Sequence, residues 1–133
     1  FPYEERLCAG LRRLGLKVLL YFCGDVMPRL PALTQLPINA LMVEESKKDF
    51  RIDIGEVRAA VGERLCLFGN IDTYEVMRLG TPEQIRREAE RQLRAAGANG
   101  AFIMGIGSPL PLDTPAENVG VLIQHTRHIT YLS

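Results

Sequence analysis

Lys17-Val-Leu-Leu-Tyr-Phe-Cys23, bounded by Gly15 and Gly24, is the stretch on which the fold turns. After the lysine it is apolar without interruption, the pattern of a strand covered on both faces in a parallel sheet rather than of a half-wet hairpin strand. Residues 38–43, 64–68 and 100–105 repeat the pattern, and with 17–23 they are predicted as four strands. Helix signals fill the intervals. Leu7, Leu11 and Leu14 recur at helical spacing among charged residues from Tyr3 to Leu14. Val26 to Leu36 suggests a short helix confined by Pro28 and Pro31. Asp53, with Glu56 three residues on, reads as a capping box for a helix through Ala60 that Gly62 closes. Thr81, Pro82 and Gln84 open a long helix that runs through Arg94 and ends near Gly97, and Thr114 caps a last one from Pro115 to about His128. The alternation predicts an α/β chain of four parallel βα units with no hairpin signal.

Periodicity leaves two architectures open, a small doubly wound sheet and half of a (β/α)8 barrel. The loops favour the second. Each strand is followed by a polar or glycine-rich segment: Cys23-Gly-Asp25, Glu44-Glu-Ser-Lys47, Gly69-Asn-Ile-Asp72 and Gly105 to Asp113. Barrel enzymes gather functional groups behind every strand in this way, whereas an open sheet concentrates them at one switch point. The half-barrel reading puts Leu19, Met42, Leu67 and Ile103 on the inner face.

The 133 residues are one domain's worth of chain, 47% apolar and 24% charged, which excludes a disordered or collagen-like sequence. Sixteen basic residues balance sixteen acidic ones, so nucleic acid and anionic membrane surfaces are poor partners. No apolar run reaches the roughly 18 residues of a membrane span. Cys8, Cys23 and Cys66 are odd in number and lack Cys-x-x-Cys spacing, which points to a reducing, cytoplasmic setting, with Cys8 and Cys66 in the core. The chain opens on Phe1 rather than methionine, and we expect a piece of a longer protein.

Phe22-Cys-Gly-Asp25, Val43-Glu-Glu-Ser-Lys47, Leu67-Phe-Gly-Asn-Ile-Asp72 with Leu79-Gly-Thr-Pro-Glu-Gln-Ile85, and Gly105-Ile-Gly-Ser108 leading to Asp113-Thr-Pro-Ala-Glu-Asn-Val119 follow one another in order. Together they resemble the uroporphyrinogen decarboxylase superfamily, which includes zinc-dependent methyltransferases acting on corrinoid-bound methyl groups. The resemblance implies a (β/α)8 barrel of which residues 1–133 are the C-terminal half, its fifth to eighth strands. It implies a corrinoid or tetrapyrrole substrate, and the loops sit closer to the methyltransferase branch than to the decarboxylases of porphyrin biosynthesis. The methyltransferases hold zinc with a His-x-Cys pair and a later cysteine. Here Tyr21-Phe-Cys23 stands at the first position and Ser108 at the second, so Cys23 is the metal-ligand candidate and zinc is disfavoured. Ser108 also replaces the histidine usual in the decarboxylases.

The substrate-binding candidates are therefore Tyr21, Cys23, Asp25, Glu44, Asn70, Asp72 and Ser108. Each has a plainer reading: Cys23 as a buried small residue, Asp25 and Asp72 as helix caps, Asn70 as a left-handed turn residue. Of the adjacent glutamates, Glu44 is expected to face the barrel axis, with Glu45 solvated or paired with Lys47. His125 and His128 share a helix face at metal-binding spacing but lack a third ligand. A non-catalytic half-barrel is the competing reading, and either way we expect a second half to cover the sheet, from the missing N-terminal segment or a homodimer.

Overall fold

Strands β1 (Leu19–Phe22), β2 (Ala40–Val43), β3 (Cys66–Phe68) and β4 (Phe102–Ile103) pair in parallel, in chain order, in the computed structural model, which describes residues 1–129. Helices α1 (Pro2–Arg13), α2 (Leu30–Leu33), α3 (Ile54–Val61), α4 (Pro82–Ala96) and α5 (Ala116–His128) alternate with them. Sequential parallel order with a helix after each strand is the arrangement of consecutive units of a (β/α)8 barrel, and the predicted strands hold, shortened at both ends in β1 and β4 and only at the start in β2 and β3.

Register decides the faces. Leu41 pairs with Leu67 and Leu67 with Phe102. These three, with Val43, are buried in one apolar cluster with Leu30 and Leu33 of α2 and Val57 and Val61 of α3. Each such side chain contributes about 1.5–3 kcal/mol by leaving water. The opposite face carries Leu19, Tyr21, Met42, Phe68 and Ile103, and no helix among the described residues covers it: Leu19 is 44% and Ile103 47% exposed. Three expectations are corrected here. Strand β1 alternates exposed and half-buried residues instead of being covered twice, because the helices lie on one side. Leu67 is on the helix side and Phe68 takes its place on the open face. The same alternation leaves Cys66 half-buried rather than in the core, while Cys8 is buried as expected.

Local chemistry explains most helix boundaries. Asp53 accepts from the N–H groups of Gly55 and Glu56, and of the two expected capping boxes the one closed on both sides is Thr81 with Gln84. Residues 26–36 form a 3₁₀ turn, Met27–Arg29, and the single turn α2 rather than one helix. Pro28 and Pro31 bring no N–H to an intrahelical ladder. Thr114 does not cap α5: Pro115 occupies that position, and the Thr114 hydroxyl is buried without a partner. A π-helical turn, Thr73–Arg78, was not foreseen; Asp72 caps it through the N–H groups of Tyr74 and Glu75. Ile71, Met77, Ile85, Ala89 and Leu122 form a second apolar cluster that seats this turn against α4 and α5.

At the end of the sheet where the strands begin, Arg58 of α3 fans into four carbonyls. It donates to Ala96 at 2.9 Å, Gly62 at 2.7 Å, Leu65 at 3.0 Å and Ala101 at 2.6 Å. One guanidinium thus ties α3, α4 and the entries to β3 and β4, a structural use of the end opposite the functional loops. No helix among the described residues is long and apolar enough to cross a membrane.

Candidate functional site

The four strand-end loops meet at one mouth, and a buried acid, Glu45, joins three of them. Strand β2 ends at Val43, and Glu45, two residues on, is 4% exposed. Its Oε1 accepts from Lys47 Nζ at 2.6 Å and Thr73 Oγ1 at 3.1 Å, and its Oε2 from Ser108 Oγ at 2.8 Å. Burial alone would raise the Glu45 pKa, but the Lys47 ammonium, its own N–H and the Ser108 hydroxyl outweigh that and hold it below the ordinary carboxylate value. Burial likewise acts to lower Lys47, and Glu45, Glu44 and Asp72 raise it above the ordinary value. The expectation that Glu45 is paired with Lys47 stands, and its solvated alternative is corrected.

Glu44 carries the other half of the mouth. Its Oε2 accepts from Gly24 N at 2.8 Å, and its carbonyl from Asn70 Nδ2 at 3.0 Å. Gly24 sits at φ 95°, a left-handed value that suits glycine. Asn70 is buried, so its amide ties β3 to β2 instead of standing in an αL turn. Its N–H donates to Gln92 of α4 at 3.2 Å.

Tyr21 and Cys23 lie along the open edge. Tyr21 Oη donates to the Gly107 carbonyl at 2.8 Å. Desolvation pushes its pKa up to about 12, with Cys23 and Glu44 adding and Ser108 opposing, so the phenol keeps its proton at neutral pH. Cys23 is exposed, which sets aside its buried reading. Asp25 is exposed and accepts from Met27 N at 3.2 Å, and Asp72 is the cap already described. Arg78 forks onto Asp113 at 2.8 and 2.5 Å and stacks 4.8 Å over the Tyr74 ring, which fixes the long loop after β4. Asn118 donates to the carbonyls of Met77 at 2.9 Å and Gly80 at 3.1 Å, a packing role.

Zinc does not fit the donors that this chain brings to the mouth. Cys23 offers a thiol, but the Tyr21 phenol is protonated and engaged, and the Ser108 hydroxyl is committed to Glu45 and Lys47. Among the described residues no three His, Cys, Asp or Glu side chains gather to hold a metal. His125 faces Glu90 Oε1 at 3.1 Å and His128 the Gln124 carbonyl at 2.6 Å, so the two do not converge.

Residues 1–129 match the family described as Uroporphyrinogen decarboxylase (URO-D). Among curated relatives, a Uroporphyrinogen decarboxylase of Aromatoleum aromaticum is 33% identical over 96% of this chain and 36% of its own length. The Methylcobamide:CoM methyltransferase MtbA of Methanosarcina mazei is 24% identical over 98% and 35%. A solved structure of a methyltransferase from Methanosarcina mazei superposes with a TM-score of 0.75 at 24% identity, covering 93% of this chain and 34% of that one. The chain therefore spans about a third of the length of these relatives.

Proposed function

Because the chain belongs to the uroporphyrinogen decarboxylase family, we propose that it forms the C-terminal half of a barrel mouth that receives a corrinoid or tetrapyrrole, and that its reaction is methyl transfer between a corrinoid carrier and a small acceptor. The observation that carries this reading is the exposed Cys23 thiol beside Tyr21, at a strand end on the uncovered sheet face. The protonated phenol acts there as a hydrogen-bond donor that fixes the Gly105–Ser108 loop, and the apolar side chains of the open face suit the flat flank of a macrocycle. Nothing in the mechanism is routed through zinc, since the donors of this chain do not fit it. The remaining strands of the same protein, or a second copy, would cover Leu19, Met42 and Ile103.

A second reading, porphyrinogen decarboxylation, is favoured by the higher identity to the Uroporphyrinogen decarboxylase of Aromatoleum aromaticum. One experiment separates the two. The full-length protein is given methylcobalamin with a thiol acceptor, followed by the change in corrinoid absorbance, and in parallel uroporphyrinogen, with products resolved by carboxyl number. Demethylation of the corrinoid upholds the first reading. Loss of carboxyl groups alone upholds the second. Neither reaction leaves a half-barrel that acts by association.

A further inference from the structure

A carboxylate buried at a strand end is costly to keep charged unless donors surround it, and Glu45 gathers its donors from three separate loops. Lys47 follows it in its own loop, Thr73 comes from the turn after β3, and Ser108 from the loop after β4. Lys47 closes the ring by donating to Ser108 Oγ at 3.0 Å. The backbone of Glu45 also lies so close to Gly107 that a Cβ there would overlap both the Glu45 nitrogen and its Oε2. The Gly107 carbonyl in turn receives the Tyr21 hydroxyl. Glu45 itself has no open side toward the mouth, while Tyr21 and Ser108 do.

We infer that Glu45 is a positioning residue: acting through Ser108 and Gly107, it fixes where the loop after β4 and the Tyr21 hydroxyl stand at the mouth. The charges around Lys47 explain why a carboxylate is needed. Glu44 and Asp72 also attract the Lys47 amine, so without Glu45 the amine turns toward Glu44, whose Oε2 holds the Cys23-Gly24-Asp25 turn through Gly24. The kinetic consequence rests on the proposed function; the geometric one does not.

Amide hydrogen exchange of the full-length protein, read by NMR, tests it with Glu45→Gln. Protection should fall by about tenfold or more at Gly107, which donates to Ile71 O, and at Gly24, while Cys66 and Leu67 in the sheet stay within about twofold. Equal loss at all four amides, or none, overturns the inference and leaves Glu45 a stabilising residue. Should Glu45→Gln fail to fold, Ser108→Ala and Lys47→Met decide: selective loss at Gly107 upholds the inference, and unchanged protection overturns it. In the full-length protein with methylcobalamin, Glu45→Gln should lower kcat by about tenfold with KM within about twofold. A wild-type protein without that activity refutes the proposed function and leaves the exchange result standing.

Discussion

Gly107→Ala puts a methyl group where the backbone has no room for one. The new Cβ would lie 2.9 Å from the Glu44 carbonyl carbon and overlap the Glu45 nitrogen and Oε2. The carboxylate could swing aside, but the backbone just past β2 is held by Asn70 on the Glu44 carbonyl, so the loop after β4 must lift by about 1 Å to restore contact near the usual carbon distance. A lift of that size breaks the Tyr21–Gly107 bond at 2.8 Å and the Ser108–Glu45 bond at 2.8 Å. The neutral bond is worth about 1 kcal/mol, the charged one about 1.5–3, and a buried charge short of a donor adds to the loss, for a total of about 3–5 kcal/mol. Gly107 is not among the positive-φ glycines, so strain does not enter the sum. Urea unfolding followed by circular dichroism measures the change, with Gly105→Ala as the control: its Cβ meets its nearest neighbour, Gly69 O, at 3.4 Å, and it should cost less than about 1 kcal/mol. Equal stability of the two variants would refute the account of the mouth as a closely packed junction.

Acid should weaken the same junction. The folded Glu45 pKa is depressed, so its contribution is complete above the unfolded carboxylate value and is lost as pH falls through the folded one; urea midpoints from pH 7 to pH 3 should converge for wild type and Glu45→Gln. Arg58→Met takes a donor from four carbonyls, of which Ala101 keeps the Leu67 N–H, and should cost about 2–4 kcal/mol by the same unfolding assay, with amide shifts at Gly107 unchanged. Zinc content by atomic absorption should fall well below one per chain; stoichiometric zinc that disappears with Cys23→Ala would contradict the donor argument.

The strands were legible because each is a short apolar run bounded by glycine, proline or charged residues, and the Thr81 cap because Thr-Pro-Glu-Gln is a local signal whose partners are three residues apart. The mouth was legible only as a place. Tyr21, Cys23, Glu44 and Ser108 do assemble there, but the hydrogen bonds that organise them join residues 20 to 86 apart in sequence, and no window of local pattern contains both ends. Glu45 was passed over because strand alternation was carried one residue beyond the sheet, where the backbone no longer alternates. A signal was present in Gly107, whose missing side chain marks a close approach of two backbones. The bare sheet face was hidden for a different reason, since Lys17 to Cys23 is equally apolar on the covered and the uncovered side.

Sequential strand order has a consequence for how the molecule comes into being. Each strand pairs with the one synthesised just before it, so a chain leaving the ribosome can lay down its sheet one unit at a time, every addition closing a short loop. The clasp between Glu45 and Ser108 cannot form until the fourth strand has docked, 63 residues later. A chain halted before Gly105 would hold most of its apolar core and have no mouth, so the core matures ahead of the chemistry it carries.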